Sequence, residues 1–296
     1  MSARAWTSFA VVSVLWGIPY LFISIAVDHG VSPGFLAWSR VLLGALVLLP
    51  FVWRSGLLGT LRPHWRWLLV YAIVEISIPF PLIAFGEERV SSSVAAILIA
   101  ATPLIVAVLA YAFDHTERVA GRRLAGLIAG FAGVVALVGV DIAGDRDEVI
   151  GTIAILIAAI GYALGPMTLQ SKLSTLEPRV VMAGALAVAA VLLAPLAALT
   201  APDAAFQTEA VASILVLGIF CTAAAFVLFG ALVIDVGAGR ALVIDVGASR
   251  ALVITYVAPV VALIAGIAVL SESPGVGTLI GLPLILGGSW LATGAD

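Results

Sequence analysis

Ten stretches of this chain are too long and too apolar to lie anywhere but across a bilayer. They run at about 6–27, 34–53, 66–86, 91–112, 123–141, 150–170, 180–200, 209–230, 250–271 and 275–293. A hydrocarbon core about 30 Å thick takes about 20 helical residues at 1.5 Å each, and every stretch approaches that length. Backbone in lipid must satisfy its own hydrogen bonds, so runs of this kind mean helices and not loops or open strands. The chain is 63% hydrophobic and 10% charged, whereas about a quarter of the residues of a soluble domain are charged. The expected fold class is therefore all-α: a polytopic membrane protein of ten transmembrane helices, with the lipid bilayer as its solvent. The first run reads as a span and not as a signal peptide, because its apolar stretch is long and nine more follow.

The basic residues orient the bundle. With the N-terminus in the cytoplasm, Arg4, Arg54, Arg62, Arg66, Arg118, Arg122, Arg123, Lys172, Arg179, Arg240 and Arg250 fall in cytoplasmic segments or at helix ends beside them. Only Arg89 and Arg146 fall outside, and Arg40 lies within the second span. That bias follows the positive-inside rule. The outer loops carry acid instead: Glu87, Glu88, Asp145, Asp147 and Glu148. The expectation is a multi-pass protein of the plasma (cytoplasmic) membrane with both termini cytoplasmic.

The chain also repeats itself. Pro33 and Pro50 bracket the second span as Pro178 and Pro195 bracket the seventh, an offset of 145. Phe85–Gly86 and Phe229–Gly230 end the third and eighth spans at an offset of 144. Further on, Pro103 matches Pro259 at 156, and Glu117, Gly126 and Gly133 match Glu272, Gly281 and Gly288 at 155. The jump of about eleven falls across ALVIDVGAGR (231–240) and its near-copy ALVIDVGASR (241–250), and deleting one copy nearly restores the register. The organisation expected is a first repeat at 1–141 and a second at 150–293, with an extra decapeptide within 231–250. Each half holds five spans, an odd number, so the second enters the membrane inverted. Secondary transporters commonly have this plan, with the substrate site between the halves near the midplane.

LWGIPYLFISIAVDHGVSPGFLAWSRVLLGALVLLP (15–50) resembles the opening of an EamA-like protein of the drug/metabolite transporter superfamily, with a Trp-Gly, a Pro before span two and then an Arg. YVAPVVALIAGIAVLSESPGVGTLIGLPLILGG (256–288) resembles the closing signature, a Pro-centred hydrophobic core, an acidic residue and spaced glycines. The resemblance covers nearly the whole chain and implies a secondary carrier of small solutes (amino acids, metabolites or toxic compounds), often an exporter, working by alternating access. The chain departs from the family at the extra decapeptide and at Ala185, which stands where the second half would repeat Arg40.

Paired helix breaks point to the cavity of such a carrier. Span one has Gly17 and Pro19, span six has Gly161, Gly165 and Pro166, and spans four and nine have Pro103 and Pro259. These breaks either line the cavity or only shape packing. Ionisable groups within a membrane are costly and mark function by default. Arg40 and Glu75 sit about seven and eleven residues from the outer ends of their helices, so their depths differ by only about 6 Å. Glu75 either exchanges a coupling proton while Arg40 holds an anionic substrate group, or the two form a structural pair. Trp16, Tyr162 and Tyr256 lie away from the interfacial belt and suit stacking on a substrate or holding a cation. Tyr20 and Thr102, with Thr168, Gln170 and Thr255, add polar contacts. Trp6, Trp38, Trp53, Trp65 and Trp67 read as belt residues.

His29, His64 and His115 fall in loops, and the chain has one cysteine, Cys221. There is no phosphate-cradling GxxxxGK[ST] loop and no nucleophile–base spacing. No metal, cofactor, nucleic-acid partner or enzymatic activity is expected. The partners expected are a small-molecule substrate and, as coupling ion, the proton, while oligomeric state leaves no mark in the sequence. Two other readings compete with the carrier: a non-transporting scaffold or channel subunit, and a membrane-embedded lipid enzyme.

Overall fold

The computed structural model describes residues 3–113, 121–142, 145–202, 205–228 and 253–293. The decapeptide repeat at 231–250 lies outside the described residues, as do Glu117 and the side chains of Trp6, Thr255 and Tyr256. Eight helices are long and apolar enough to cross a membrane: α1 (Ala10–Asp28), α2 (Pro33–Arg54), α3 (Leu57–Glu87), α4 (Ser92–Leu109), α5 (Gly121–Val140), α6 (Arg146–Leu173), α7 (Pro178–Leu199) and α8 (Thr208–Leu228). Two further apolar helices, α9 (Val253–Leu270) and α10 (Val276–Thr293), complete the ten. No strand occurs among the described residues.

The local sequence places the helix ends. Pro33 opens α2 and Pro178 opens α7, each at a first-turn position where the missing N–H costs nothing. Ser32 caps α2 by accepting from the Phe35 N–H at 3.4 Å, and its own hydroxyl donates to the Thr200 carbonyl at 2.6 Å, tying the α1–α2 turn to the end of α7. Asp145 caps α6 by accepting from Asp147 and Glu148, whose own charges suit the positive end of the helix. α1 ends in a left-handed turn at Gly30 (φ 80°), with the Val31 N–H reaching back to the Ala26 carbonyl at 3.0 Å. A side chain there would be strained.

The packing repeats with the halves exchanged. α5 lies along α10, and α2 along α7, each helix against its own counterpart. The α1–α9 contact is repeated as α6–α4, α3–α6 as α8–α1, and α2–α8 as α7–α3. Glycines make the α5–α10 seam possible. A Cβ added at Gly133 would lie 2.9 Å from the Gly281 carbonyl oxygen, and one at Gly281 would lie 2.8 Å from the Gly133 oxygen. Lipid gives no hydrophobic drive between apolar helices, so close backbone approach of this kind is what holds them. Two apolar clusters fill the bundle. One centres on Leu36, Ile97, Leu98 and Ile155, the other on Val41, Ile76, Val181 and Leu186, and Tyr162 borders both.

Trp53, Trp65 and Trp67 are exposed, in keeping with a belt. Trp38 differs from the belt expectation. It is half-buried, stacks near Phe35 (centroids 5.7 Å apart) and donates its indole N–H to the Ala190 carbonyl of α7 at 3.1 Å. The indole thus serves as a polar tie between two helices.

Candidate functional site

Arg40 sits on the buried stripe of α2 with Leu36, Ala37, Val41, Gly44 and Ala45, and is only 7% exposed. Its guanidinium carbon lies 4.1 Å from the centroid of the Phe80 ring on α3, and its Nη2 donates to the Thr222 hydroxyl on α8 at 3.4 Å. Its Nε has no hydrogen-bond partner. Tyr20 of α1, Tyr162 of α6 and Cys221 of α8 lie within its electrostatic reach. One cation therefore meets elements of both halves at once, with a donor to spare.

Glu75 owes its position to Pro79. A proline four residues on cannot donate to the Glu75 carbonyl and crowds it. The chain responds with a wide π-helical turn at Ile73–Ser77, in which the Ile78 N–H reaches the Ile73 carbonyl at 3.0 Å. The Ser77 hydroxyl bonds the Ala72 carbonyl, five residues back, at 3.0 Å. In α8 a matching turn spans Val216–Ala224, and Thr222, the counterpart of Ser77 at offset 145, bonds the Leu217 carbonyl at 2.8 Å. Wide turns of this sort gather at functional positions. The Glu75 carboxyl group lies over Gly165 of α6, where a Cβ would come within 2.8 Å of its Cδ, and its Oε2 has no partner. Tyr71 and Tyr162 lie within electrostatic reach of it. Tyr162 thus lies within electrostatic reach of both Glu75 and Arg40, and no ion pair joins those two among the described residues.

The other singled-out residues fall as follows. Gly17 meets Ala258 and Val261, where a Cβ would come within 2.8 Å of the Ala258 carbonyl oxygen, so the break before Pro19 in α1 faces α9 at Pro259. Pro166 in α6 leaves the Tyr162 carbonyl without its usual donor. Pro103 does the same to the Ile99 carbonyl, and the Thr102 hydroxyl fills that gap at 2.6 Å. Thr102 therefore spends its donor within its own helix, at the Ala100–Ala101 interruption of α4. Thr168 likewise bonds the Leu164 carbonyl. Trp16 packs edge-on to Phe226 of α8 at 6.1 Å and borders the same apolar cluster as Tyr162 and Phe80. Arg40, Tyr20, Tyr162 and Glu75 are thus brought together and Thr102 is not.

The pattern of the EamA-like transporter family matches residues 4–139 and, a second time, residues 149–294. This chain belongs to the EamA-like transporter family. The first match takes in α1–α5 and the second α6–α10, so the transporter carries the family unit twice. It is similar to an uncharacterized transporter of Archaeoglobus fulgidus, 24% identical over 99% of this chain and 98% of that one. It is also similar to the uncharacterized transporter YvbV of Bacillus subtilis, 25% identical over 92% of this chain and 86% of that one. A crystal structure 23% identical shares the fold with a TM-score of 0.67, covering 99% of this transporter and 97% of that chain.

One residue of this EamA-like transporter escaped the sequence reading. Glu87, placed there among the loop acids, is the last residue of α3 and only 5% exposed. The signal was present in the spacing: Phe80, Ile83, Ala84 and Glu87 are all buried, the i, i+3, i+4, i+7 stripe of one helical face. A second feature lies at the same end of the bundle. Glu272, in the α9–α10 loop, accepts from the Ser92 N–H at 2.8 Å and the Ser93 N–H at 3.2 Å, and from the Ser93 hydroxyl. It thus clamps the first turn of α4, beside a cavity of about 430 Å³ lined in part by Ser91, Glu148, Ser273 and Thr278.

Proposed function

We propose that this transporter is a secondary carrier that exports a small solute by alternating access, coupled to a proton or solute gradient. The membrane is the plasma membrane, both termini are cytoplasmic, and the moving parts are the repeats at 1–141 and 150–293. The observation that carries the reading is Arg40: a buried guanidinium between the two halves, held by a ring and one long hydrogen bond, with Nε unfilled. A charge at that depth needs a counter-charge, and a planar fork of donors suits a carboxylate or similar anionic group. Tyr20 and Tyr162 bracket that group, Trp16 extends the wall, and Glu75 carries the coupling proton, its Oε2 without a hydrogen-bond partner. The breaks at Gly17, Pro19, Pro103, Gly165, Pro166 and Pro259 let the cavity-lining helices bend as the halves rock.

Proton release on mixing the purified protein with amino acids, nucleobases and cationic toxins, in weak buffer, tests this reading. Ligand-dependent release that disappears in Glu75→Gln and persists in an exposed control variant is the expected result. Ligand binding with no proton release would leave a uniporter or exchanger and remove Glu75 from the mechanism.

A further inference from the structure

No side chain donates a hydrogen bond to either oxygen of Glu87, and most of its surroundings disfavour a charge. It closes α3, where the unsatisfied carbonyls of a helix C-terminus repel an anion. Asp28, at the end of α1, and Glu272, on the α9–α10 loop, are both acidic and within its electrostatic reach, as is Tyr20 of α1, while the Ser24 main chain of α1 favours the charged form. α6 meets this end of α3 with Ile155 and the Gly151 main chain. On its own side, Glu88 is paired with Arg89 at 2.9 Å. Among the described residues the cation in reach is Arg40, which is already engaged by Phe80 and Thr222. Glu87 thus meets two other carboxyl groups and a single guanidinium.

We propose that Glu87 is a proton-binding carboxyl group and that its proton keeps the Glu272 clamp on α4 closed. The exchange is simple: the carboxylate takes one proton from water and returns it, and no other bond changes. Loaded, Glu87 is neutral, so it no longer carries an uncompensated charge in an apolar site. It then leaves Glu272 free to hold Ser92 and Ser93. Unloaded, it sets a second negative charge near Glu272, and like charges weaken the grip on the α4 turn. The cavity beside the clamp then widens at that face of the membrane. This site is separate from Glu75, twelve residues earlier on α3, and does not depend on Glu75 being the coupling group.

Infrared difference spectroscopy on the full-length protein in nanodiscs, titrated with pH alone, tests the proton. In a Glu75→Gln background, which removes the band of the coupling carboxyl group, the expected result is a protonated-carboxyl carbonyl band that bleaches as pH rises, shifts when Glu87→Asp is added and is missing when Glu87→Gln is added. No such band in Glu75→Gln, or a band that the added Glu87→Gln does not remove, overturns the proposal. Either outcome would leave the carrier reading intact. The clamp is read by maleimide labelling of Ser273→Cys in a Cys221→Ser background, comparing Glu87→Gln with Glu87 at the same pH so that thiol ionisation cancels. At alkaline pH the Glu87→Gln protein should label more slowly, by about tenfold for a clamp shifted by one pH unit's worth of free energy. Equal labelling rates would overturn the link to the clamp.

Discussion

Gly287 and Gly288 are neighbours on α10, and only one of them should tolerate alanine. A Cβ at Gly288 would lie 2.5 Å from the Gly130 Cα and 2.6 Å from the Gly126 carbonyl oxygen, both backbone atoms of α5. Ordinary contact begins near 3.4 Å and the Gly130 nitrogen lies closer still, so α5 and α10 would have to part by more than about 0.9 Å. Backbone cannot rotate away as a side-chain end can. Overpacking of this kind costs about 1–3 kcal/mol, and here it falls on the seam where the two helices lie closest. A Cβ at Gly287 meets nothing within 4 Å, and removing a helix-interior glycine gains up to about 1 kcal/mol. Thermal unfolding in detergent, followed by tryptophan fluorescence, reads the difference. Trp290, with Arg122 of α5 lying 4.6 Å over its ring, reports on the seam directly. Gly288→Ala should lower the midpoint by about 2–12 °C, and Gly287→Ala should leave it unchanged or raise it. Equal midpoints for the two variants would refute the claim that glycine contact, and not general apolarity, joins these helices.

Other consequences follow from the site. Arg40→Lys keeps the charge but loses the fork and the stacking on Phe80, so substrate affinity measured by flux competition should fall at least about tenfold with expression unchanged. Gly165→Ala sets a methyl group where the Glu75 carboxyl lies, and should abolish ligand-dependent proton release while the bundle still folds, as size-exclusion chromatography will show. Trp38→Phe leaves the Ala190 carbonyl without its donor and should cost about 0.6 kcal/mol, read as a small fall in the unfolding midpoint. Ser93→Ala removes one of the Glu272 contacts and should cost about 1.5–3 kcal/mol, the usual worth of a hydrogen bond to a charged group.

The spans were legible because a bilayer demands length and apolarity, and both survive in a bare string of letters. The repeat was legible in prolines and glycines, which mark backbone events: Pro33 and Pro178 open helices, and Gly126, Gly133, Gly281 and Gly288 lie on the one seam that joins α5 to α10. Partnerships across the bundle were not. Depth along the helices brought Arg40 and Glu75 level, but rotation turned Arg40 towards Thr222 and Phe80 and laid Glu75 on Gly165. Rotation about a helix axis depends on local winding, and the wide turn before Pro79 shifts it in a way that a regular 3.6-residue period does not express. Glu87 was missed because composition marks where an apolar run stops, while burial depends on what packs against the last turn. Trp38 was misread for the same reason, since an indole near a span end can face lipid headgroups or a neighbouring helix.

The lone charge at Arg40 has a consequence for how such a molecule can be built. Two identical five-helix chains, set head to tail about a two-fold axis, would have to display every residue twice, as isologous contacts require. A guanidinium beside that axis would then face its own copy across the bundle, and two buried like charges repel strongly where water cannot screen them. Joining the units into one chain frees the second position, and here alanine stands in it: Ala185, fully buried. Covalent fusion thereby makes available an off-axis chemistry that no symmetric pair can hold. On the proposed carrier reading, a substrate held there would meet one face that is charged and one that is not, and so be told head from tail.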